Sequence, residues 1–214
     1  MAPKKISKTM LARLPGYLNY LKALPPDSDP NISATALAKA LNLGDVQVRK
    51  DLAMVSGGGR RKTGHLRENL LRDIEEFLDY HNVTDAILVG AGKLGQALLD
   101  YSGFSIFGLN VLAGFDIDPQ FEQTPEGTPL YPMSELDNFC ATHNVCVGII
   151  TVPAQHAQSV CDRLLANGVQ AIWNFAPIHL NVPDHIPVQN ENLAISLIAL
   201  RMRLKYQVSD SEDE

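Results

Sequence analysis

Gly90-Ala91-Gly92-Lys93-Leu94-Gly95 follows an apolar run, Ala86-Ile87-Leu88-Val89, and opens an apolar-periodic segment through Leu94, Ala97, Leu98 and Tyr101. The order is strand, glycine turn, helix, the context in which G-x-G-x-x-G indicates a dinucleotide site. Glycines there let backbone N–H groups approach a pyrophosphate at a helix N-terminus, where the dipole favours negative charge. A second apolar run, Val111-Leu112-Ala113-Gly114-Phe115, ends in Asp116, 21 residues after Gly95. An acid at that place bonds a ribose 2′-hydroxyl and repels a 2′-phosphate, so the expected cofactor is NAD(H) rather than NADP(H). The alternative is a glycine-rich turn of an α/β sheet that binds nothing.

Around this motif the remaining body alternates. Helix is expected over 133–143 and 154–167, and strand over 145–151 and 169–175. Such alternation implies a mainly parallel, doubly wound sheet with helices on both faces. Ligands of these sheets bind at the carboxyl ends of strands. Thr151-Val152-Pro153 and Asn174-Phe175, both at strand ends, therefore join 90–95, Asp116 and Ile117 as candidate cofactor residues. A long apolar helix, Leu193 to about Tyr206, closes the body and reads as an interface helix, with burial inside its own domain as the alternative.

Some ninety residues precede the glycine motif, and their charge differs. Residues 1–65 hold eleven Lys and Arg against four Asp and Glu, a net of +7, and the rest of the chain carries −13. A basic head on an acidic body suggests a polyanion partner for the head. The apolar face of Leu11, Leu14, Leu18, Leu21 and Leu24 predicts a helix, interrupted at Pro15 and therefore starting near it. Ser33 is placed as the N-cap of a helix over 34–41, and a second helix over 45–53 carries Gln47, Arg49 and Lys50. Two short helices joined by the turn Asn42-Leu43-Gly44 make a helix-turn-helix. Gln reads adenine edges, and Arg and Lys read guanine or bind phosphate. The loop through Gly57, Arg60, Arg61, Lys62 and Gly64 reads as the wing of a winged helix, with a mobile surface loop as its alternative. Lys8 is a further candidate for DNA contact, and a helix over 66–80 links head to body.

The apolar content of 45% supports packed cores, and no run is long enough to span a membrane. The N-terminus lacks the apolar stretch of a signal peptide, and Cys140, Cys146 and Cys161 have no metal-like spacing, so a cytoplasmic protein with no metal is expected. The expected domains are 1–80, 81–190 and a helix over 191–208, with an acidic, disordered tail at 209–214. His156 and His179 are candidates for acid–base chemistry near a nicotinamide. Neither sits in a catalytic constellation, and no substrate domain follows, so an enzyme is not expected.

The chain resembles the Rex family of redox-sensing transcriptional repressors over nearly its full length. The resemblance rests on Arg13-Leu14-Pro15 with Tyr17 and Tyr20-Leu21, on Gln47-Val48-Arg49-Lys50-Asp51-Leu52, on 90–95, and on Phe115-Asp116-Ile117-Asp118-Pro119. Thr151-Val152-Pro153-Ala154 with Ala157-Gln158, and Asn174-Phe175-Ala176-Pro177, complete it. It implies a homodimer with winged-helix heads, Rossmann-like bodies and a C-terminal helix swapped onto the partner. It also implies a palindromic operator, released when NADH replaces NAD⁺. Departures from the family pattern fall in the wing, where the step is Val55-Ser56-Gly57 and the run Arg61-Lys62-Thr63-Gly64-His65. A polar switch of some members, an Arg, a Tyr and an Asp, is matched by Asn19, Tyr101 and Asn192, and an aromatic near the nicotinamide is matched by Leu193. Two other readings stand beside the repressor: an NAD(H)-binding regulator without operator binding, and an NAD-dependent dehydrogenase.

Overall fold

The computed structural model describes residues 6–57, 59, 63–80 and 82–206; Arg60, Arg61, Lys62 and the acidic tail lie outside them, as do the side chains of Lys8 and Leu193. The chain divides into two compact units, Met1–Asn82 and Val83–Glu214.

The first unit contains α1 (Lys8–Ala23), β1 (Asn31–Ile32), α2 (Ala34–Leu41), α3 (Asp45–Ser56), β2 (His65–Leu66) and α4 (Arg67–Phe77). Pro15 lies inside α1 rather than at its start, and Ser7 is the N-cap, its hydroxyl accepting from the Met10 N–H at 3.1 Å. An interior proline costs a helix about 3 kcal/mol through the lost hydrogen bond and the ring clash. Packing outweighs it, because Met10 before Pro15 and Tyr17, Leu18 and Leu21 after it are all buried in one core. Leu37, Val48, Leu52, Leu70 and Ile74 complete that core from α2, α3 and α4. Ser33 caps α2 as expected, accepting from the Ala36 N–H at 3.0 Å, and Asn42 ends it in the left-handed conformation at φ 54°. β1 and β2 pair antiparallel, Ile32 opposite His65.

The second unit contains β3 (Thr84–Val89), α5 (Lys93–Leu99), α6 (Gly103–Ile106), β4 (Leu109–Asp116), β5 (Leu130–Pro132), a single 3₁₀ turn (Met133–Glu135) and α7 (Leu136–Thr142). β6 (Val147–Ile150), α8 (Ala154–Ala166), β7 (Ala171–Asn174), β8 (Val188–Asn190) and α9 (Leu193–Tyr206) follow. Six strands form one sheet in the order β5-β4-β3-β6-β7-β8, parallel at every pairing. Side chains alternate across it. Ile87 and Val89 enter a core with α7 and α8, and Ala86 and Leu88 enter another with Leu99 of α5. The chain runs outward from β3 to β4 and β5, then returns to β6 on the other side of β3. The topological switch point, where crevices open in such sheets, lies between the carboxyl ends of β3 and β6.

In α9 every described side chain from Ala194 to Tyr206 is exposed, Leu197 at 66% and Leu204 at 82%. The helix is thus not buried within its own unit. No helix among the described residues is long and apolar enough to cross a membrane.

Candidate cofactor crevice and nucleic-acid interface

A cavity of about 820 Å³ opens at the switch point. Gly90, Gly92, Asp116, Ile117, Thr151, Val152 and Pro153 line it, together with Met133, His156, Ser159, Val160 and Arg163. Each glycine of the motif has its own reason. Gly90 sits at φ +103°, and a Cβ there would come within 2.8 Å of Val152 Cγ1 and 2.9 Å of the Thr151 carbonyl carbon. At Gly95 a Cβ would overlap the Gly90 carbonyl oxygen, so this glycine allows α5 to lie against the end of β3. Gly92 is different: a Cβ would meet nothing within 4 Å, and the residue is exposed as the N-cap of α5. Its open side belongs to the lining of the cavity. The first amides of α5, on Lys93 and Leu94, have no partner within the helix.

The turn is braced from three sides. The Asp116 carboxylate accepts from the Ala91 N–H at 2.7 Å and from the Asp118 N–H at 3.1 Å. The Thr151 hydroxyl donates to the Gly90 carbonyl at 2.7 Å, tying β6 to β3 across the switch point. The Gln96 amide donates to the Ala91 carbonyl at 2.8 Å. A carboxylate accepts about four hydrogen bonds, so Asp116 keeps capacity for a hydroxyl. At the far wall the guanidinium of Arg163 makes a bidentate pair with Asp137, at 2.9 and 3.0 Å. That pairing raises Arg163 above its ordinary value and holds the Asp137 carboxyl below its own. Asp116 therefore stands in a cavity whose lining cation already has a partner.

Asn174 and Phe175 are not among the residues that line this cavity. Asn174 is fully buried; its amide donates to the Ala176 and Ile178 carbonyls and to Asn190 Oδ1, and its oxygen accepts from the Ala176 N–H. Its side chain shapes the turn after β7 from within. Phe175 packs on the α5 side of the sheet, its ring 4.9 Å from that of Trp173. Trp173 meets Phe104 at 5.4 Å, and Phe104 meets Tyr101 at 4.9 Å. Rings thus connect Phe175 to Tyr101, which is itself 57% exposed. Asn192 caps α9, its Oδ1 accepting from the Ile195 N–H at 3.1 Å, and Asn19 is exposed on α1. The α8 wall of His156, Ser159, Val160 and Arg163 was not assigned to the cavity from sequence, although its i, i+3, i+4, i+7 spacing puts these residues on one helix face.

In the first unit α3 presents the expected polar side chains. Lys50 is exposed, and Val46 beside it is 66% exposed. Arg49 pairs with Asp45 at 2.9 Å. Behind them lies a network that sequence reasoning did not connect. Asp51, at 3% side-chain exposure, accepts from Arg13 Nε at 2.8 Å and Arg13 Nη2 at 3.1 Å, from the Tyr17 hydroxyl at 2.7 Å, and from Gln47 Nε2 at 3.0 Å. Burial alone would raise the Asp51 carboxyl; the hydrogen bonds from Arg13, Tyr17 and Gln47 outweigh it and hold it below the ordinary carboxylate value. Burial, then the bond to Asp51, pushes Tyr17 up. The carboxylate stays ionised and accepts only.

Known proteins share both halves. A family model described as "CoA binding domain" matches residues 81–178, and one described as "Putative DNA-binding protein N-terminus" matches residues 5–53. The redox-sensing transcriptional repressor Rex of Porphyromonas gingivalis is 38% identical over 94% of this chain and 93% of its own length. The Rex of Bacteroides fragilis is 36% identical over 94% of this chain and 92% of its own. Among solved structures, RSP in complex with NAD⁺ and operator DNA is similar with a TM-score of 0.87 and 32% identity, covering 96% of this chain and 95% of that one. RSP in complex with NADH is similar at 0.82 and 32% identity, covering 96% and 97%. The chain belongs to the Rex family of redox-sensing transcriptional repressors.

Proposed function

We propose that this chain, as a cytoplasmic homodimer, binds a palindromic operator with NAD⁺ bound and leaves it when NADH replaces NAD⁺. The observation that carries the reading is the pairing in one chain of a winged-helix unit with a switch-point cavity walled by Gly90, Gly92 and Asp116. The protein acts as a gauge rather than an enzyme, its output being occupancy of DNA.

In this reading the pyrophosphate lies against Gly92 and the amides of Lys93 and Leu94. Asp116 holds the adenosine ribose, and Ile117, Val152 and Pro153 flank the adenine. The nicotinamide end lies toward Thr151, Phe175 and Leu193 of the partner subunit. NAD⁺ and NADH differ at one ring in charge and planarity, and apolar walls disfavour the cation. A ligand shifts a two-state dimer only by its differential affinity for the two states. Closing the bodies around NADH turns the heads out of register with two half-sites. The exposed apolar face of α9 supports a dimer in which each last helix is covered by its partner. Gln47, Arg49 and Lys50 face the major groove, and Lys8 with Arg60, Arg61 and Lys62 contacts the backbone or minor groove.

A gel-shift on palindromic duplexes, with NADH titrated at fixed NAD⁺, tests this. Release of DNA as the ratio rises is expected. Occupancy that ignores the ratio refutes the sensor, and absence of any shift favours the regulator without operator binding.

A further inference from the structure

We propose that Asp51 is a positioning residue that fixes the Gln47 amide in one orientation and so commits α3 to adenine at one base of each half-site. The proposal rests on the operator-binding reading above and adds to it one specified base contact.

Asp51 is ionised, so it accepts and cannot donate. Each of its oxygens takes two bonds: Oδ2 from Arg13 Nε and the Tyr17 hydroxyl, Oδ1 from Arg13 Nη2 and Gln47 Nε2. Arg13 and Tyr17 reach it from α1, some 34 to 38 residues away in sequence, so the carboxylate is held by the core and not by α3 alone. A glutamine amide beside an acceptor of this kind must turn its NH₂ group inward. One N–H is then committed to Asp51. The second N–H and Oε1 remain, and Gln47 is only partly buried, so that pair is available at the surface of α3.

A donor beside an acceptor matches one base edge in the major groove. Adenine shows the N7 acceptor and the N6 donor side by side, whereas guanine shows two acceptors, N7 and O6. An unrestrained glutamine flips and tolerates either purine. The Asp51 carboxylate removes that freedom. Bidentate pairs of this kind discriminate against the wrong base by roughly 5- to 150-fold.

The substitution Asp51→Asn inverts the logic. The new amide keeps its oxygen for Arg13 Nε and the Tyr17 hydroxyl and turns its NH₂ toward Gln47, giving up the bond from Arg13 Nη2; Gln47 must then accept through Oε1 and present its NH₂ outward. Two donors match guanine. Loss of packing alone predicts no such change of preference.

The test is selection of duplexes from a randomised double-stranded pool by the full-length dimer, with binding to single-base variants of the selected site measured afterwards. The wild type is expected to select a palindrome with adenine at one position of each half-site. Gln47→Ala is expected to lose that preference by roughly 5- to 150-fold at that position only, and Asp51→Asn to move it to guanine. Where Asp51→Asn alone does not fold, the double variant Arg13→Gln/Asp51→Asn leaves no unpaired buried charge and makes the same test. A wild type that selects a site while Gln47→Ala keeps every base preference overturns the proposal. Adenine preference that survives a folded Asp51→Asn variant at full margin also overturns it. A wild type that selects no sequence overturns the operator reading itself, a separate and recognisable failure.

Discussion

Replacing Gly92 and Gly95 by alanine separates the two tasks of the glycine motif. At Gly92 the backbone is at φ −68° and a Cβ has no neighbour within 4 Å, so the folded chain accommodates alanine. Alanine is a poorer N-cap than glycine, but it also lowers the entropy of the unfolded chain by about 0.4–1 kcal/mol, so the net change is about 1 kcal/mol or less. For a chain of this size that moves Tm by about 2–4 °C at most. The added methyl fills the space proposed for the pyrophosphate. Losing one or more backbone bonds to a charged group costs about 1.5–3 kcal/mol, which is roughly 10- to 150-fold in Kd. At Gly95 the order reverses. The new Cβ overlaps the Gly90 carbonyl oxygen and lies 3.1 Å from Thr151 Oγ1, so the turn must move and the fold loses about 1–3 kcal/mol. Calorimetric titration with NADH and thermal melting of both variants supply the comparison. A Gly92→Ala chain that binds NADH within twofold of the wild type, with an unchanged melt, refutes the placement of the pyrophosphate.

Asp116→Ala is expected to weaken NADH roughly tenfold or more, by the same charged-bond figure, and to narrow the preference for NADH over NADPH; equal losses for both nucleotides speak against a ribose contact. Arg13→Ala leaves the buried Asp51 carboxylate without its cation and is expected to cost the first unit about 3–5 kcal/mol, read by urea denaturation; a cost under about 1 kcal/mol shows the network to be dispensable. Burial holds His65 below its ordinary value, against a weaker pull from Asp73. A depressed imidazole contributes stability that is present above its unfolded pKa, about 6.5, and is lost as pH falls through its folded value. Unfolding midpoints should therefore fall between pH 7 and 5, and His65→Gln should flatten that slope; an unchanged slope in the variant contradicts the assignment. Truncation before Leu193 removes the exposed apolar helix and is expected to yield monomers in sedimentation equilibrium, whereas a dimer of wild-type strength places the interface elsewhere.

How far the sequence carried these conclusions depended on element length. The helix over 34–41 was placed to the residue because a serine cap and a glycine turn bound it, and the last helix was placed from Leu193 to about Tyr206 by its many apolar residues. β5 and β8, three residues each at the sheet edges, and the two-residue β1 and β2 are too short to show a period. Pro15 misled because local propensity favours proline at a helix start, while tertiary packing kept it in the interior. In the crevice, the strand-end motifs marked the edge of the sheet at which the cavity opens but not which side each residue faces. Strand side chains alternate with a period of two, so Asn174 and Phe175, adjacent in sequence, point one into the core and the other to the opposite face. The Asp51 network joins positions 13, 17, 47 and 51, and no local pattern links the first pair to the second.

The central claim is that nucleotide redox state sets DNA occupancy. The decisive quantity is the Kd of the full-length dimer for its selected operator, measured by fluorescence anisotropy at one salt concentration, with saturating NADH and with saturating NAD⁺. Near-complete switching needs about 10⁴-fold differential affinity, and the account predicts operator binding weaker with NADH by at least about 100-fold, with Gly92→Ala needing roughly 10- to 150-fold more NADH for the same release. Equal operator affinity under both nucleotides contradicts it.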